Sequence, residues 1–197
     1  VIHVVSGFVR TGTSMMMACL TAGGLTSAFD PARERLNDHG DEHYRPNRSG
    51  FYELSMRECG KPGWPIQHQG KLIKVMSWFL DSLEPNQEGG GYRIVLMHRD
   101  PEEIRQSFEA AFGERIDPAT LADYRERQAA IFRRLMVRRD VQSVIPLAYR
   151  AVVAHPEVYP VDIDPTVTSN ITTDADDGFE TNGTTWTFSN NFDRFGV

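Results

Sequence analysis

The sequence predicts a three-layer α/β/α fold with a mainly parallel central sheet. Three observations predict it. Strand-like and helix-like segments alternate along the first 155 or so residues, the order of a sheet covered by helices. Two of the strands, VIHVVS at 1–6 and YRIVLMH at 92–98, are apolar enough to be buried. The first strand runs directly into a glycine-bearing loop and an apolar helix, SGFVRTGTSMMMACL at 6–20, and that sequence of elements makes an anion site.

After the first strand, residues 13–22 read as a helix whose three methionines, Met15, Met16 and Met17, are core packing. Residues 27–50 are polar and irregular, the character of a long functional loop or lid. LIKV at 72–75 is a short strand, and SWFLDSL after it a short helix. NQEGGG at 86–91 is a flexible turn leading into the strand at 92–98. Asp100-Pro101 opens the next helix: Asp caps, Pro is tolerated in the first turn, and Glu102 and Glu103 complement the positive end of the dipole. That helix runs to about Phe112. A longer amphipathic helix follows Asp117-Pro118, with Leu121, Tyr124, Ile131, Leu135 and Met136 facing inward. Val144 to Leu147 form a last parallel strand, and Arg150 to His155 a short final helix.

The 197 residues suffice for one domain with a continuous core. We divide them into a folded unit over 1–160 and a tail over 161–197, where the composition turns to Asp, Thr, Asn and Gly. The net charge of −6 resides wholly in that tail, leaving residues 1–161 neutral. A nucleic-acid binder usually shows a basic excess, so nucleic acid is not the expected partner. The arginines around the second long helix, including Arg125, Arg127, Arg133 and Arg134, read as a solvated face. No stretch is long and apolar enough for a membrane span, and the first residues read as strand rather than signal peptide. Cys19 and Cys59 have no metal-site spacing, and a reducing, cytoplasmic setting is the simpler expectation.

The loop Gly7-Phe8-Val9-Arg10-Thr11-Gly12-Thr13-Ser14 is nearly the phosphate loop G-x-x-x-x-G-K-[ST], but Thr13 stands where the lysine belongs. Its backbone N–H groups and the helix dipole favour an anion, and Thr13 and Ser14 add hydroxyls. The expected fold is therefore of the P-loop type. In a nucleotide triphosphatase the lysine reaches the β- and γ-phosphates; here Arg10 is the candidate cation. A second anion-binding pair is Arg99, at the end of the strand YRIVLMH, with Ser107 on the helix after it, a guanidinium fork and a hydroxyl suited to one phosphate.

Together these segments resemble the sulfotransferases that use 3′-phosphoadenosine 5′-phosphosulfate (PAPS), in a short form of bacterial or phage type. That family carries [KR]-[ST]-G-T-[ST] after its first strand, here Arg10-Thr11-Gly12-Thr13-Ser14, to grip the 5′-phosphosulfate. It carries R-[DN]-P with a serine eight residues after the arginine, here RDPEEIRQS, in which Arg99 and Ser107 would hold the 3′-phosphate. LIKVMSWFL is similar to the family's middle strand, with Lys74 at a position that often holds lysine. IPLAYRAVVAHPE is similar to its strand–helix segment: Tyr149 and Pro156 match, while Arg150 replaces an acid. The likeness covers about residues 1–160, and the usual C-terminal R-K-G signature is not apparent.

The resemblance implies PAPS as co-substrate, 3′,5′-adenosine bisphosphate (PAP) as product, no required metal, and a small-molecule or glycan acceptor. Cytosolic members place a catalytic histidine two residues after the middle-strand lysine; here that position is Met76. Bacterial members often carry G-[FYW]-[FYW]-E, matched by Gly50-Phe51-Tyr52-Glu53, which makes Glu53 the candidate base. His43 and His68 are reserve candidates, and Lys74 is a candidate for contact with the sulfonate or bridging oxygen. Two other readings stay open at this level: a P-loop nucleotide kinase or hydrolase with an altered loop, and a non-catalytic PAP- or PAPS-binding protein.

Overall fold

Strand β1 (Ile2–Gly7) is the middle of the five-stranded sheet that the described residues form, and its burial on both faces explains its apolar run. Residues 1–28 and 61–154 are described in this computed structural model. Glu53, His43, Cys59, Pro156 and the acidic tail lie outside the described residues.

The elements after β1 are helix α1 (Thr13–Ala22), strand β2 (Thr26–Ser27), a single turn α2 (Trp64–Gln67) and strand β3 (Lys71–Met76). A 3-10 helix (Ser77–Ser82) and strand β4 (Tyr92–His98) follow, then helices α3 (Pro101–Phe112), α4 (Pro118–Ala122) and α5 (Tyr124–Val137). Strand β5 (Val141–Ala148) and helix α6 (Tyr149–Ala154) complete the described chain. The strand order is β2-β3-β1-β4-β5, and every pairing is parallel. An α/β fold with a parallel sheet is therefore what the chain forms. Pro146 lies in β5 at the sheet edge, where a strand tolerates the loss of a donor.

Alternate residues of each strand feed different clusters, as the two-residue period of a strand requires. Val5, Leu72, Val95, Met97 and Leu147 pack with Met15, Met16, Met17, Cys19 and Leu20 of α1 and Val152 of α6. Ile2, Val4, Ile73, Val75, Ile94 and Leu96 pack with Leu80, Ile131 and Leu135. Each fully buried side chain of this size contributes about 1.5–3 kcal/mol, the main force holding the helices to the sheet. The methionines do form core, and Cys19 is buried with its thiol pushed up to about 12 by desolvation.

Two expectations need correction. The amphipathic helix after Asp117 is divided at Asp123 into α4 and α5, although Asp123 keeps right-handed helical angles. Met136 is 60% exposed, while Gln128 is buried with Tyr124, Ile131 and Leu135. The buried stripe follows the spacing 124, 128, 131, 135, and Met136 lies a full helical step of about 100° beyond it.

At the amino end of the sheet, Arg138 binds the polar turns together. Its guanidinium donates to Asp140 at 2.7 and 2.9 Å and to the carbonyls of Leu80 and Leu83 at 3.0 and 3.2 Å. Asp140 also accepts from the Asn86 amide at 3.2 Å. Burial acts to raise its pKa, but Arg138 and that amide together hold the carboxyl below its ordinary value.

A candidate anion site at the carboxyl edge of the sheet

The connection after β1 runs toward β3 and the one after β4 runs toward β5. Adjacent parallel strands whose connections part in this way leave a crevice at their carboxyl ends, where α/β proteins bind ligands. The predicted loop, the end of β3 and the end of β4 all reach this edge.

The loop begins with a close approach. A Cβ on Gly7 would lie 2.4 Å from Thr11 Oγ1 and 2.9 Å from the Met97 carbonyl, so only glycine fits. The Thr11 hydroxyl donates to the Phe8 carbonyl at 2.8 Å and closes the turn. Arg10 holds a φ of 61°, a left-handed conformation that is uncommon outside glycine and clusters at functional sites. Gly12, φ 86°, is the N-cap of α1, and among the described residues no side-chain cap bond is made there. The first amides of α1, with the positive end of its dipole, thus stand at the carboxyl edge of the sheet.

Lys74 is 3% exposed and donates from Nζ to Ser14 Oγ at 2.8 Å. An ammonium from the neighbouring strand thus stands at the last residue of the loop motif. Arg10 points elsewhere: its Nε is 3.3 Å from Ser107 Oγ, and its guanidinium lies 5.6 Å from the centre of the Phe112 ring. Ser107 is fully buried. Arg99 donates from Nη1 to the Arg10 carbonyl at 3.3 Å, and its Nε lies 3.3 Å from Glu103 Oε2. The same guanidinium stacks 3.9 Å above the Tyr149 ring. The backbone N–H of Arg99 donates to the Tyr124 hydroxyl at 3.1 Å, and burial raises that phenol's pKa. Phe8 of the loop packs against Tyr124 and Trp78, with ring centres 5.1 and 5.8 Å apart.

Arg10, Thr11, Gly12, Thr13, Ser14, Lys74, Arg99 and Ser107 are therefore brought to one edge of the fold. The reserve candidate His68 is not. It precedes β3, stacks on Trp64 at 4.8 Å and meets the Trp64 carbonyl through Nδ1 at 3.0 Å. That is the amino end of β3, a strand length of about 20 Å from the carboxyl edge, so His68 is corrected to a packing residue. Glu103 and Tyr149 were not foreseen as parts of the site. Glu103 had been read as a dipole complement, yet it also pairs with Arg99 and with Arg150. Beside the crevice, Leu96, His98, Gln128, Phe132, Arg133 and Pro146 line a cavity of about 270 Å³, and burial lowers the His98 pKa.

Chemically, the edge offers the first amides of α1, the buried Lys74 and two guanidiniums, a set suited to an oxyanion with more than one charged group. Among the described residues no cluster of three His, Cys, Asp or Glu could hold a metal ion, and no helix is long and apolar enough to cross a membrane. Comparison with protein-family models gives no match, and comparison with curated proteins gives none either.

Proposed function

We propose that the chain is a sulfotransferase that moves the sulfuryl group of PAPS to a hydroxyl or amine of a small-molecule or glycan acceptor. The observation that carries this reading is the meeting of two motifs that stand 97 residues apart: Arg10 of the loop lies against Ser107 of α3, with Arg99 on the Arg10 carbonyl. A nucleotide with phosphate groups at both its 5′ and 3′ positions needs two anion grips, and these motifs supply two.

In this reading the α1 amides, Ser14 and Lys74 hold the 5′-phosphosulfate. Lys74 replaces, from β3, the cation that the loop lacks at Thr13. Arg99 and Ser107 hold the 3′-phosphate, and Arg10 stands between the two grips. The acceptor oxygen or nitrogen attacks sulfur as the S–O bond to the 5′-phosphate breaks. PAP leaves with that electron pair, and Glu53 takes the acceptor's proton. Cations around the bridging oxygen stabilise the charge that develops on it.

Calorimetric titration with PAP and with magnesium–ATP tests the reading. PAP should bind in preference, and Arg99→Ala should weaken it about 10–100-fold, the worth of charge-assisted hydrogen bonds. Arg99→Lys, which keeps the charge but loses the fork, should fall between. Preference for magnesium–ATP would overturn the reading in favour of a kinase or hydrolase. Donor turnover equal in Glu53→Gln and the unaltered chain would remove Glu53 as the base.

A further inference from the structure

Arg150 is a cation with no packing task. Its side chain is 79% exposed, so it covers little of the core. It sits in the first turn of α6, which holds no acid, at the helix end where the dipole disfavours a positive charge. It is nevertheless held across to α3, where Nε and Nη2 both contact Glu103 Oε1. The other oxygen of Glu103 serves Arg99 Nε at 3.3 Å. One carboxylate thus carries a guanidinium on each oxygen. Glu103 and Ser107 are four residues apart on α3 and share a face, and Arg10 reaches Ser107 at 3.3 Å. Arg10, Arg99 and Arg150 are therefore all held along one stripe of α3, by Ser107 and Glu103.

Arg99 alone is a poor match for a dianion. Its Nε is engaged by Glu103 and its Nη1 by the Arg10 carbonyl. A phosphate monoester presents three oxygens and close to two charges, and bidentate guanidinium forks match it best. Glu103 links a second guanidinium to the first: Arg150 meets it through Nε and Nη2, on the side of the group away from Nη1.

We propose that Arg150 is a phosphate-binding residue that completes the grip of Arg99 and Ser107 on a terminal phosphate monoester. It thereby sets the preference for a 3′-phosphorylated nucleotide over one with a free 3′-hydroxyl. This rests on the sulfotransferase reading above, and Glu103 is the positioning residue that joins the two guanidiniums.

The test is calorimetry with PAP and with adenosine 5′-monophosphate on the unaltered chain, Arg150→Ala and Arg150→Lys. Arg150→Ala should bind PAP about tenfold more weakly, as for one partly screened charge-assisted contact. Its affinity for the monophosphate should not change. Arg150→Lys should recover part of the loss, and the loss should shrink as salt rises. Because Arg150 is exposed, both variants should melt with the unaltered chain, which separates binding from folding. If the unaltered chain does not prefer PAP, the sulfotransferase reading falls and this inference with it. If it prefers PAP and Arg150→Ala keeps the whole preference, Arg150 alone is excluded.

Discussion

Replacing Gly12 by alanine probes how the loop, α1 and α6 lock together. Gly12 has a φ of 86°, and a Cβ there would lie 2.6 Å from Cδ2 of Tyr149. Ordinary carbon contacts are about 3.5–4.0 Å, so ring and loop must separate by about 1 Å. The ring has little room to yield, because Arg99 stacks on it at 3.9 Å. The left-handed conformation costs a non-glycine residue about 1–2 kcal/mol, and overpacking adds about 1–3 kcal/mol. The combined loss is about 2–5 kcal/mol, or about 5–15 °C in melting temperature for a chain of this size. Gly113→Ala is the matched control: its φ is 67°, but an added Cβ meets no described atom within 4 Å. It should lose only the conformational part. Thermal melts of both variants by circular dichroism decide the matter. A Gly12→Ala protein that melts no lower than Gly113→Ala would refute the packing of Tyr149 on the loop.

Two further outcomes follow from buried charges. Asp140 has a folded-state pKa below its ordinary value, so its stabilisation is present above the unfolded pKa of about 4 and is lost as pH falls through the lower folded value. Urea midpoints should therefore drop below pH 4; Asp140→Asn should be about 2 kcal/mol less stable at pH 7 and show a flatter acid limb. An equal acid slope in both proteins would remove Asp140 from the linkage. Lys74→Met keeps the side chain's length but removes the Nζ donor to Ser14 Oγ at 2.8 Å, and losing one partner of a buried polar contact costs about 1–3 kcal/mol. The variant should melt about 2–10 °C below the unaltered chain and bind PAP at least tenfold more weakly; unchanged affinity would show that Lys74 does not face the anion.

Much of the frame was legible because local rules and tertiary packing agree. Asp100 does cap α3, accepting from the Glu102 amide at 2.9 Å, and Pro101 does open it. Strands buried on both faces read as apolar runs, so β1 and β4 appeared where they were expected. β2 and α2 did not: two residues and a single turn are too short to carry a period. Met136 was misread because an apolar residue next to the stripe looks like part of it, while the buried polar Gln128 looks like surface.

The site divides along the same line. The loop and the Arg99–Ser107 pair are each fixed by spacing within their own strand–loop–helix unit, and the sequence exposes such spacing directly. The role of Lys74 depends on sheet register. Leu72 and Lys74 share a face of β3, so once Leu72 joins the cluster under α1, Lys74 must point toward α1 and meet Ser14. The alternation was present in the sequence, but which face lay under α1 was not. Tyr149 and Arg150 depend on one more layer of register. The pairing of His98 with Ala148 brings the start of α6 level with Arg99 and the start of α3. A shift of one residue in β5 would exchange the faces of its side chains and carry Tyr149 off Gly12. The polar contacts at this edge are therefore consequences of strand register, and a change in the β4–β5 pairing would disturb the anion site before it touched any residue in the loop.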